Sequence, residues 1–110
     1  MNEHVVVLST VASAEDAERL ARALVERRLA ACVNVVPGLT SIYRWEGQVR
    51  KDEERLLVIK TRAELFEDLR TVLVELHPYE LPEVIALPVA DGHGPYLSWV
   101  DESLSRSGSA

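Results

Sequence analysis

Aromatic residues make up only 5% of this 110-residue chain, cysteine occurs once, and 12 cationic side chains face 18 acidic ones. Each shortage excludes something. With so few aromatics the core must be built from Val, Leu, Ile and Ala, and a platform for stacking nucleic-acid bases is missing. The lone Cys32 rules out an intramolecular disulfide framework. A formal charge of −6 argues against a phosphate backbone as partner, so no nucleic acid is expected, and it favours cations as ligands. No apolar run approaches the roughly 18–20 residues that span a bilayer, so no membrane partner is expected either. The opening MNEHVVVLST lacks a basic n-region and has a short apolar run, which points away from a secretory signal and toward the cytoplasm. Low-complexity linkers and internal repeats are also absent. One domain over 1–110 is expected, with an ordered core at about 4–104 and a small, polar, flexible tail at 105–110.

What is present is hydrophobic pattern, 47% of the chain, and its spacing gives the order of elements. Val5 to Leu8 is a continuous apolar run, as expected of a central strand. Ser13, with Asp16 three residues on, reads as a helix cap, and Ala17, Leu20, Ala21 and Leu24 form one stripe of a helix ending near Leu29. A polar return from Gln48 to Arg55 leads into a second buried strand, Leu56 to Ile59. Thr61 with Glu64 repeats the capping pattern, and Leu65, Leu69, Val72 and Leu76, widened by Phe66 and Leu73, make a second stripe that Pro78 stops. Val84 to Val89 reads as a strand confined to a sheet edge by Pro88, and Gly94-Pro95 opens a terminal helix through Leu104. The order β-α-β-β-α-β plus a helix is that of an α+β, ferredoxin-like sandwich with an antiparallel sheet and the two most apolar strands in its middle.

Between the first helix and the second buried strand lies a run too long for such a domain. Apolar residues dominate from Ala31 to Val36, Pro37-Gly38 punctuates, and β-favouring Thr40, Ile42, Tyr43 and Trp45 follow before a Glu46-Gly47 turn. At roughly 3.3 Å per residue this arm approaches 50 Å. A compact chain of this length is only about 30–35 Å across. The extended hairpin must therefore find cover on another subunit, with Tyr43 and Trp45 at the interface.

The same residues carry a resemblance. Ala30 to Asn34, Pro37-Gly38, Thr40-Ser41, Tyr43, Trp45 and Gly47 match the signature of the CutA family of divalent-cation tolerance proteins. The similarity continues through VIKTR at 58–62, HPYELPEVIALPV at 77–89 and GPYLSWV at 94–100. It implies a homotrimer, tolerance of or response to divalent metal ions, and binding of copper or another divalent cation. It also implies copper ligands at His77, at a His just before it and at a Cys in the first strand. The last two positions hold Leu76 and Ser9 here.

Read residue by residue, the chemistry is sparse. An acylphosphatase-like site would need a charged loop after the first strand, and Thr10 to Ser13 carries no charge. His77, with Glu80 three residues on and Glu83 beyond, is the main metal candidate; the plainer reading has it closing a helix end. Cys32 is a soft potential ligand, or a small hydrophobe in an apolar strand. Lys60 and Arg62 flank Thr61 at a strand-to-helix junction, where with Glu83 and His77 they could line a cleft for a small anion, or simply form a solvated edge. Asp52-Glu53-Glu54 reads as a solvated charge run. No nucleophile–base pair or acid–base dyad is evident, so a non-enzyme is expected, with no organic cofactor. Two alternatives to the metal reading stand: a regulatory trimer resembling PII signalling proteins, binding an anion between subunits, and a passive trimeric scaffold.

Overall fold

Ser13 starts the first helix in the way its position predicts: its Oγ accepts the Asp16 N–H at 3.0 Å from an extended N-cap backbone. In this computed structural model, which describes residues 3–105, strand β1 (His4–Val11) leads into helix α1 (Ala14–Glu26). The tail expected from 105 onward lies, apart from Ser105, outside the described residues. Helix α1 stops short of Leu29 because Arg28 turns left-handed, at φ 57, and the Leu29 and Ala30 N–H groups both return to the Leu24 carbonyl. The Arg28 guanidinium holds that conformation by donating to the carbonyls of Ser103 and Ser105.

Strands β2 (Cys32–Trp45) and β3 (Gln48–Arg62) follow, then a 3-10 turn (Ala63–Leu65), helix α2 (Phe66–Leu76), strand β4 (Ile85–Pro88) and helix α3 (Gly94–Leu104). The sheet order is β2-β3-β1-β4, antiparallel throughout, with β1 and β3 central and β4 at an edge. Val7 and Val11 of β1 and Leu57 and Ile59 of β3 meet Leu20 and Leu24 of α1 and Leu69 and Leu73 of α2, all essentially inaccessible to water. At about 1.5–3 kcal/mol for each large aliphatic side chain, this layer is the main source of stability.

Three expectations need correction. The polar return and the second strand are one element, because β3 stays in register with β2 from Trp45↔Gln48 to Cys32↔Lys60. The ladder slips once, between Val36 and Leu39, where Pro37 offers no N–H and Gly38 takes φ 76. Thr61 is not a helix cap. Its buried hydroxyl donates to the Leu29 carbonyl at 2.7 Å, tying β3 to the turn after α1, and Arg62 precedes the 3-10 turn without a side-chain cap. The α2 face holds for Phe66, Leu69, Val72, Leu73 and Leu76, with Leu69 and Leu73 fully buried, but Leu65 leaves it and joins a separate cluster with Ala31, Val100 and Leu104.

The long arm is present. The chain measures 48 × 27 × 23 Å, and β3 is exposed at every residue from Gln48 to Glu53. Its tip is a two-residue turn in which Glu46 and Gly47 both have positive φ, 52 and 81, the geometry whose twist matches a hairpin.

Candidate functional site

Where the arm leaves the core, its inner face and the loop after α2 enclose a groove of about 640 Å3. The pleat decides what faces it. Ser41, Tyr43 and Trp45 of β2 sit opposite Asp52, Arg50 and Gln48 of β3, and Glu54 continues the same face of β3. Thr10 and Ala12 form the floor at the end of β1, and Tyr79, Glu80, Leu81 and Glu83 form the far wall.

Five carboxylates line this space against two guanidiniums, Arg44 and Arg50. Both arginines lean to the tip, where Arg44 reaches the Gly47 carbonyl and Arg50 lies 3.9 Å from Glu46. Two tyrosine–carboxylate pairs organise the walls: Tyr43 donates to Asp52, and Tyr79 donates to Glu54 Oε2 at 2.5 Å. Glu54 is only 8% exposed, so the expectation of a solvated charge run fails at its last member. The available sequence signal was alternation: Glu54 falls on the same face as Leu56 and Val58.

Burial, then the bond to Glu54, holds the Tyr79 hydroxyl well above the ordinary tyrosine range. The bond to Asp52 raises Tyr43 first, and burial raises Tyr96. A pKa raised by folding contributes stability that is complete below the unfolded value, about 10, and lost as pH climbs through the folded one. On the alkaline side the protein should therefore lose stability as pH climbs above about 10, with Tyr79 the last of its three tyrosines to ionise. Ultraviolet titration of the phenolates checks this. Tyr79→Phe should remove the latest-titrating phenol and, by leaving Glu54 without its donor, cost about 1–2 kcal/mol in urea unfolding.

His77 does not enter the groove. It caps α2, is buried, and bonds through both ring nitrogens: Nε2–H donates to the Thr10 carbonyl at 2.9 Å and Nδ1 accepts the Tyr79 N–H at 3.1 Å. No free lone pair is left for a metal. Glu80 lines the groove, while Cys32 lies across the sheet, beside Lys60, which pairs with Val6. His77, Glu80 and Cys32 are thus not brought together. The positions implied as further copper ligands are internal too: Ser9 is fully buried with its Oγ unpartnered, and Leu76 packs against the main core. Among the described residues no group of three or more His, Cys, Asp or Glu side chains is placed to hold one metal ion. A copper centre within one chain does not fit this donor set.

The anion cleft is not assembled within the chain either. Lys60 donates to Asn34, and Arg62 is engaged by Asp101 at 2.7 Å and Glu64 at 3.1 Å. Burial raises the Asp101 carboxyl, but the bonds from Arg62 and His4 outweigh it and leave Asp101 below the usual range. These contacts clamp α3 to the end of the sheet away from the groove. Glu83 lies at the opposite end, near Thr10. Tyr43 and Trp45 occupy the inner face of the arm, whereas its most exposed apolar residues, Ile42 at 70% and Val49 at 65%, lie on the outer face.

The fold recurs in known proteins. A divalent-cation tolerance protein CutA of Thermus thermophilus is 56% identical over 98 residues, 89% of this chain and 95% of that protein. The mouse Protein CutA is 53% identical over 86% of this chain, which spans about half of that longer relative, 55%. A crystal structure of CutA from Xylella fastidiosa superposes with a TM-score of 0.92 at 40% identity, covering 94% of this chain and all of the other. The model of the CutA1 divalent ion tolerance protein matches residues 5–103, nearly the whole span from the first strand to the last helix. Sequence and architecture agree over that span, and the chain belongs to the CutA1 divalent ion tolerance family.

Proposed function

We propose that this protein is a non-catalytic homotrimer acting in divalent-cation tolerance, with the carboxylate groove as its cation-attracting surface. The observation that carries the reading is the concentration of acidic side chains at the base of an arm that overhangs its own core. The arm supports assembly, as does the sheet face opposite α1 and α2, where Ile85 and Leu87 of the edge strand are 48% and 47% exposed. Head-to-tail pairing closed into a ring leaves no arm uncovered. The number three follows the family resemblance. Residence in the cytoplasm, where the Cys32 thiol stays reduced, completes the proposal.

Cations are assigned to the groove and not to His77, because exposed carboxylates are free to exchange ligands and a doubly hydrogen-bonded imidazole is not. Equilibrium dialysis with Cu(II) separates the two. Bound ion should fall several-fold in a Glu80→Gln, Glu83→Gln double variant and persist in His77→Gln. Loss in His77→Gln alone would return the site to the imidazole.

A further inference from the structure

We propose that Asp91 and Gly92 form a self-modification site, where the Gly92 nitrogen attacks the Asp91 side chain and converts the peptide link to its isoaspartyl form. The two residues lie in the exposed loop between β4 and α3 and take no part in the groove. The Gly92 N–H donates to Asp91 Oδ1 at 2.8 Å, so the carboxyl is already folded back onto the nitrogen that attacks it. Cγ is one bond beyond Oδ1 and therefore within about 4 Å of that nitrogen, close to a reactive separation.

Glycine keeps the approach open. A Cβ at position 92 would lie 3.2 Å from Leu97 Cδ1 and 3.3 Å from Leu97 Cγ, tighter than an ordinary contact, so the packing of α3 favours glycine there. The same missing side chain removes the hindrance that slows ring closure elsewhere. Gly92 is also the only glycine in the sequence that follows Asp or Asn. Of the five aspartates, Asp91 alone lies outside helix and strand; Asp16, Asp68 and Asp101 sit in α1, α2 and α3, and Asp52 in β3. Regular hydrogen bonding fixes the peptide after each of those four. Three of them are also held by side chains, Asp16 by Arg19, Asp52 by Tyr43 and Asp101 by Arg62.

The step is a condensation followed by hydrolysis. A bond forms from Gly92 N to Asp91 Cγ, and the amide hydrogen leaves with the carboxyl hydroxyl as one water, closing a succinimide. Water then opens the ring. Attack at Cγ restores the aspartyl link, whereas attack at the former main-chain carbonyl runs the chain through Cβ and Cγ and frees the α-carboxylate. Water is the sole co-reactant and nothing is oxidised or reduced. The inserted carbon falls at a joint between sheet and helix. On one side the Val89 N–H is tied to the His4 carbonyl, and on the other the Leu97 N–H is tied to the His93 carbonyl, each at 3.0 Å.

Ageing the whole folded protein at neutral pH, then digesting it and sequencing the peptides by electron-transfer mass spectrometry, tests the site. Isoaspartate should accumulate at residue 91 several-fold above its level at each of the other four aspartates. Hydroxylamine, which cleaves succinimides, should cut aged chains between residues 91 and 92. Asp91→Glu should abolish both signals, because the longer side chain closes its ring far more slowly. Asp91→Asn should quicken them, losing ammonia through the same ring. Residue 91 is exposed, so both variants leave the core untouched. Isoaspartate at 91 no higher than at the other aspartates, or a hydroxylamine cut that survives in Asp91→Glu, would overturn the proposal. Isomerisation seen only after unfolding in urea would overturn it too, by showing that the fold holds the pair apart.

Discussion

Ile42→Asp should shift the protein from oligomer toward free 12.3 kDa chains while leaving the fold of each chain intact. Ile42 lies on the outer face of the arm and is 70% exposed, so within one chain the change touches almost nothing and should cost within about 0.5 kcal/mol. In an assembly that covers the arm, the same carboxylate would be buried without a partner. That penalty is several kcal/mol per site, which corresponds to at least a hundredfold loss in association. Trp45→Ala should loosen the oligomer through lost area instead. Covering about 150 Å2 of indole contributes roughly 3–4 kcal/mol before ordering costs. Sedimentation velocity reads both variants, and circular dichroism establishes that the chains remain folded. Unchanged oligomer mass in both would show that the arm is not the contact.

His77→Ala should destabilise the fold by about 2–4 kcal/mol, visible as a lower urea midpoint. The substitution strands two backbone groups at once, the Thr10 carbonyl and the Tyr79 N–H, and removes a ring packed at 4.6 Å against Tyr79. It also loosens the wall of the groove, because Tyr79 and the residues after it are positioned from His77. Gln at 77 should recover part of the loss by supplying one donor and one acceptor. An unchanged midpoint accompanied by complete loss of Cu(II) binding would mean that His77 serves the metal and not the fold.

The parts of the architecture that depend on local chemistry were readable in advance. Ser13 caps α1, Glu46-Gly47 makes the hairpin turn, Pro88 marks an edge strand and Gly94-Pro95 opens α3. The arm was readable because its length exceeds any compact domain of this size. What escaped the sequence depends on partners distant along the chain. Glu54 passes for the end of a charge run until the loop after α2 brings Tyr79, 25 residues away, over it. Thr61 has the spacing of a capping residue, but the Leu29 carbonyl competes for its hydroxyl and wins in the buried setting. The ring of His77 is claimed by Thr10, 67 residues earlier, a contact that exists only because α2 returns the chain to the end of β1. The helix-end role of His77 was legible and its partners were not. Lys60, Arg62 and Glu83 were grouped by their charges and proximity in sequence to helix ends, whereas the sheet separates them along the length of β1.

Sedimentation equilibrium of the wild-type protein, freed of metal with a chelator and held at low micromolar concentration, tests arm-driven assembly most directly. A single species of three times the 12.3 kDa chain mass is expected, because the arm's backbone edge and apolar faces need cover whether or not a cation is bound. A stable 12.3 kDa species under those conditions would contradict it.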